Sequence, residues 1–202
     1  MYFLRAKEGI KSSTTEALRK FYERNKYQYL KRPNTIEDLK SLALFWESVS
    51  DQDRTRFSDN VLKKLFILNY APNGMWQHIT SVYFLQYKTD DGLLSDAEFG
   101  KFLDKITAFI FVYAITNPGV NALRTPVYDE MVNIVNGGEV KFSKYKFNNT
   151  QARTSFENYV FTNQKNATRS IITWYAYTFS EQALLGLNES FHLEHIYPKK
   201  RQ

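Results

Sequence analysis

Apolar positions recur at intervals of three and four along most of the chain, a spacing that predicts a protein built almost wholly of helices. Ser13 followed by Glu16 has the form of a capping box, and Ala17, Leu18, Phe21 and Tyr22 carry a first helix towards Leu30, with Pro33 as its stop. Thr35 is placed to cap a second, with Glu37 and Asp38 in its opening turn and Leu39, Leu42, Ala43 and Trp46 as the inward stripe. Ser58 opens a third through Leu68, closed by Ala71-Pro72-Asn73-Gly74, and Met75 to about Tyr87 forms a fourth. A second capping box, Ser95 with Glu98, precedes the longest helix, whose Phe99, Phe102, Leu103, Ile106, Phe109, Ile110 and Tyr113 predict a path through the core. Thr125 and Pro126 then suit an N-cap and first helical position, and Asn136-Gly137-Gly138 ends that helix.

The pattern loosens after 138. Val140-Lys141-Phe142 alternates like a short strand, and 145–150 is polar and rich in Asn, so a domain boundary is placed between 138 and 139. A helix is expected over 150–159 and a stronger one over about 167–182, around Ile171, Ile172, Trp174, Tyr175, Tyr177 and Phe179. Gly186 and Asn188 interrupt it, and the alternation from Phe191 to Lys199 reads as a terminal strand. The expected fold class is therefore mainly α, a multi-helix orthogonal bundle with a few short strands.

Charge adds a direction to this picture. The formal charge of +6 is unevenly spread: residues 1–32 hold nine Lys and Arg against three Glu, 33–140 hold nine against fourteen acids, and 141–202 hold nine against four. Basic ends flanking an acidic middle suit a polyanion such as DNA, or simply a solvated surface. Cysteine is absent, which excludes disulfides and thiolate metal sites. No apolar run approaches the roughly 20 residues that span a bilayer, and Arg5, Lys7, Glu8 and Lys11 interrupt any leader-like segment. A cytoplasmic protein with no membrane partner is expected.

The chain has no phosphate-binding glycine loop, no dinucleotide fingerprint, no nucleophile elbow and no His-Glu-x-x-His. Chemistry-bearing residues gather instead at the end, where His192 and His195 are two of the three histidines. Phosphodiester hydrolysis needs a base to activate water and a divalent ion to neutralise charge on the phosphate. Glu194 and His195 supply both residue types, and on an extended chain their side chains diverge, so the carboxylate can face a metal while the imidazole takes a proton from water. Lys199, Lys200 and Arg201 follow Pro198 and are placed to contact phosphates. His192 reads as a partner on a strand edge or a solvated imidazole, with a second metal ligand as the alternative. His78, within an aromatic helix, reads as a hydrogen-bonded core residue. Trp174, Tyr175, Tyr177 and Phe179 read as core packing, with base stacking as the alternative. Lys141, Lys144, Lys146, Arg153, Lys165 and Arg169, opposed only by Glu157, form a phosphate-contacting or merely solvated surface, with Lys165 and Arg169 as the nucleic-acid candidates.

Glu194-His195-Ile196-Tyr197-Pro198-Lys199 after a long helical region resembles the C-terminal HNH nuclease domain of GmrSD-type restriction endonucleases, prokaryotic defence enzymes that cut foreign DNA. Tyr159 to Asn163 and the helix from Arg169 to Tyr175 resemble the segment before the nuclease strand there, and 12–49 more loosely resembles the family's helical part. The resemblance implies His195 as general base, Glu194 as a metal ligand, magnesium or manganese in the intact enzyme, and DNA as partner, with a homo-oligomer or partner subunit left open. It makes 1–138 a helical domain and 139–202 the start of an HNH-type (ββα-metal) domain. The second strand, its Asn, the following helix and the family's Asp-Gly-Gln-Gln-Arg motif are not in the sequence. A fragment of a longer enzyme, holding no metal and not cutting DNA alone, is the expectation; a non-catalytic helical module that binds DNA or a protein is the alternative.

Overall fold

The structure, a computed structural model, describes residues 2–9, 15–117, 119, 121–162 and 165–189. Among the described residues all regular structure is helical, so the chain is mainly α: α1 (Tyr2–Lys7), α2 (Thr15–Arg24), a 3-10 turn (Gln28–Lys31), α3 (Pro33–Ser50), α4 (Asp59–Asn69), α5 (Met75–Tyr87), α6 (Asp96–Thr116), α7 (Arg124–Val135), α8 (Asn149–Glu157) and α9 (Asn166–Ala176). No helix among them is long and apolar enough to cross a membrane.

Helix α5 packs on α7, α4 on α6, α1 on α7 and α9 on α4. Their buried faces meet around Phe45, which stacks on Phe84 at 4.4 Å and meets Phe57 and Phe99 edge-on at 5.9 and 6.1 Å. Such offset and edge contacts add to the burial of large rings. Val140, Phe142 and Ala167 belong to the same buried cluster as Phe45 and Leu103, with Tyr145, Phe147, Tyr159 and Tyr177 packed against it, so residues on both sides of 138 share one core.

Several helix ends differ from the sequence pattern for local reasons. Pro33 starts a helix rather than ending one: at the first helical position its missing N–H forfeits no hydrogen bond. Thr35 is buried and donates its hydroxyl to the Tyr29 carbonyl at 2.7 Å instead of capping. Helix α2 stops at Arg24 because Lys26 and Tyr27 turn left-handed, at φ of 48° and 59°. Ser58 caps α4 as its position suggests, accepting from Val61 N at 3.2 Å. The Ser95 box does not form; Glu98 pairs with Lys101, while Asp96 accepts from the Ser58 N–H and hydroxyl at 3.0 and 2.7 Å, tying the starts of α4 and α6 together. Helix α1 lies where the sequence showed only interrupted apolarity. It buries Phe3, Ala6 and Arg5, whose guanidinium lies 5.3 Å from the Tyr128 ring centroid.

The strand expected at Val140-Lys141-Phe142 is absent, and no described residue forms a strand. The buried carboxylate of Glu130 takes the N–H groups of Lys141 and Phe142 at 3.2 and 2.8 Å, bonds a ladder would otherwise need, and Phe142 sits at φ 48°. Helices α2, α3 and α7 end in the same left-handed motif; after α2, Lys26 at φ 48° lets Tyr27 N reach Tyr22 O at 2.9 Å. After α7, Gly137 at φ 76° lets Gly138 N reach Asn133 O at 2.9 Å; after α3, Gln52 at φ 52° lets Asp53 N reach Ser48 O at 2.9 Å. Glycine fills this position freely, whereas a side chain there costs on the order of 1 kcal/mol.

Candidate nucleic-acid interface

Helix α9 presents the sequence-singled residues that the structure describes. It was expected to bury its aromatic side, but the opposite face turns inward: Ala167, Thr168, Ser170 and Thr173 are buried. These small side chains allow close approach to α4, sealed by Ser170 Oγ donating to the Ile67 carbonyl at 2.9 Å. Ile172, Trp174, Tyr175 and Phe179 are left in solvent, with Tyr175 68% exposed and its ring edge-on to Phe179 at 5.3 Å. The helix also ends at Ala176 rather than near 182. Tyr177 folds back to pack on Phe66 at 6.1 Å, and one edge of Trp174 stays near the buried Phe111, with ring centroids 6.2 Å apart.

Lys165 and Arg169 stand one turn apart at the head of α9. Lys165 occupies the N-cap position, where a cation opposes the helix dipole, and its Nζ turns away to the Val160 carbonyl at 3.1 Å and the Tyr159 ring at 4.6 Å. The half-buried Arg169 guanidinium lies over Tyr70, 5.8 Å from its centroid. Beside Lys165 opens a cavity of about 650 Å³ whose walls include Ala114, Ile115, Leu123, Asn158, Tyr159 and Val160. Sequence spacing could not have found this cavity, because its walls come from three helices, α6, α8 and α9, and from the loops between elements distant in the chain.

The other basic residues are more committed. Lys141 pairs with Glu139 at 3.2 Å, Lys144 with Asp129 at 3.1 Å, and Arg153 with Glu157 at 2.8 Å. Glu139, held also by Lys105, has its carboxyl kept below the usual range chiefly by the Lys105 and Lys141 hydrogen bonds. Lys146 is exposed. His78 is not the core residue expected: it is solvent-accessible on α5 with Tyr2 against its ring at 4.7 Å, and that crowding, by desolvating the cation, lowers its pKa.

His192, Glu194, His195, Lys199, Lys200 and Arg201 lie outside the described residues. Among the described residues no group of three or more His, Asp or Glu is arranged to hold a metal ion. No family model, curated protein or solved structure matches this chain.

Proposed function

We propose that the helical body carries the opening of a metal-dependent HNH-type endonuclease site and presents it to DNA in a cytoplasmic restriction or defence system. The observation that carries this reading is the sequence Glu194-His195-Ile196-Tyr197-Pro198-Lys199 following α9. Glu194 brings an oxygen donor suited to magnesium or manganese, and a bound ion would neutralise charge developing on the scissile phosphate. His195 takes the proton from the attacking water. Lys199, Lys200 and Arg201, with Lys165 and Arg169 at the head of α9, meet the phosphate backbone, which carries most of the affinity of such complexes. The remaining strand, Asn and helix of the motif are not in these 202 residues, so the reading requires them elsewhere in the gene product, and these residues alone are not expected to cut.

Plasmid cleavage by the full-length gene product with magnesium or manganese tests the reading. Cutting that His195→Ala abolishes is expected; cutting retained by that variant excludes His195 as the base. A gene with no strand-Asn-helix pattern to complete the motif ends the proposal.

The exposed Ile172, Trp174, Tyr175 and Phe179 favour a second reading, a non-catalytic module that binds DNA or a protein through α9. It expects no metal-dependent cutting and binding unchanged by His195→Ala.

A further inference from the structure

The cavity beside Lys165 combines an aliphatic wall with a single charge. At about 650 Å³ it falls within the range of small-molecule sites, roughly 300 to 1,000 Å³. Ala114 and Ile115 from the last turn of α6, Leu123 before α7 and Val160 after α8 supply the aliphatic lining. Water in such a concavity is displaced favourably by a chain of matching chemistry. Lys165 is the one charged side chain among the described residues of the wall, which includes no Asp or Glu.

Lys141, Lys144 and Arg153 each pair with an acid, whereas Lys165 has no acidic partner among the described residues. Its ammonium carries three donors. The Val160 carbonyl takes one at 3.1 Å, and the Tyr159 ring, 4.6 Å away, attracts the charge but supplies no counter-ion. Lys165 is also the N-cap of α9, a helix that opens with no side-chain cap and no acid in its first turn. A cation there opposes the helix dipole, while an anion at the same place is stabilised by both the dipole and the lysine. Leu123, the N-cap of α7, likewise gives that helix no side-chain acceptor. Helices α6 and α8 end beside the cavity, but carbonyls of their last turns are already taken. Asn117 N reaches Tyr113 O at 2.8 Å, and Asn158 bonds Thr154 O through its N–H at 3.0 Å and its side-chain amide at 2.9 Å.

We infer that this cavity binds an amphiphilic anion, with its acidic head, a carboxylate or a phosphate monoester, at Lys165 and the start of α9. Its aliphatic chain lies along Ala114, Ile115, Leu123 and Val160. This goes beyond the nuclease reading and does not depend on it. Lys165 serves one anion at a time, so the ligand and a DNA phosphate at this residue exclude each other.

Calorimetric titration of the 202-residue chain with decanoate, decyl phosphate and decanol tests this. The anion whose head the site prefers is expected to bind at one site, about 10-fold or more tightly than decanol. Its eight-carbon form, shorter by two methylenes, should bind up to about 15-fold more weakly. Lys165→Met keeps the apolar stem and should lose about 10-fold for the anion while decanol is unchanged. Ala122→Phe, placed in the cavity wall, should abolish binding of all three ligands in a chain that still melts cooperatively. Tyr175→Ala, on the exposed face of α9, should leave every affinity as it was. Binding by neither anion, or equal affinity for the anions and decanol, overturns the inference. So does anion binding that Lys165→Met leaves unchanged, that a folded Ala122→Phe chain retains, or that Tyr175→Ala removes. If Ala122→Phe does not fold, Lys165→Met and the chain-length series decide.

Discussion

The carboxylate of Glu130 accepts the buried N–H of Phe142 at 2.8 Å, across a helix end that sequence patterning would have joined to a strand. Its second oxygen takes Lys141 N and the Asn133 amide, so one acid on α7 satisfies the turn that returns the chain to the core.

Glu130→Ala leaves two backbone donors without partners in or near the core, which costs about 2 to 3 kcal/mol. For a chain of this size that lowers the melting temperature by roughly 4 to 12 °C. Chemical denaturation should show the same loss, and an unchanged midpoint would mean that the loop finds other acceptors.

Burial pushes Tyr22 and Tyr83 up to about 12, from the usual 10.0; for Tyr83 the neighbouring Tyr87 and Glu98 add to it, while for Tyr22 Arg5 pulls partly the other way. Because the folded pKa is raised, the stabilising contribution is complete below pH 10 and is lost as pH rises through about 12. Tyrosinate absorbance should therefore show a late-titrating pair that shifts to the ordinary range in denaturant. Tyr83→Phe should remove one member of it.

Asp53 is held below its usual 3.8 chiefly by the Thr55 hydroxyl at 2.7 Å, with the Thr55 N–H at 2.8 Å adding to it. With a depressed folded pKa, its contribution is present above pH 3.8 and lost as pH falls through the folded value. Thr55→Val keeps the N–H but deletes the hydroxyl, so the Asp53 carboxyl should titrate closer to 3.8 by NMR. No movement would mean that the N–H alone sets it.

Tyr175, 68% exposed, can be truncated at little structural cost, so Tyr175→Ala should melt like the parent protein. If α9 meets single-stranded DNA, the same change weakens binding by about 1 to 3 kcal/mol through lost stacking. Lys165→Ala should reduce the salt dependence of DNA binding by about one unit of slope. Binding indifferent to both changes would move the interface off α9.

Most helices were legible because three-and-four spacing records which positions avoid water, and the local breaks at Ala71 to Gly74, Asn117 and Asn136 to Gly138 carry their own turn chemistry. Ser58 followed the same logic, since a cap bonds within three residues of itself. The expectation of chemistry at Glu194 and His195 falls on residues outside the described ones. Tertiary structure decided what depends on a distant partner. Helix α9 buried its small polar face because α4 offers a carbonyl at close range. Residues 140–142 gave up strand pairing to a carboxylate from the helix before them, and Gln52 took a glycine's place and bonds Leu185 and Leu187, 133 and 135 residues away. Periodicity along a chain carries no trace of such bonds, because each is set by which surfaces meet after the helices have formed.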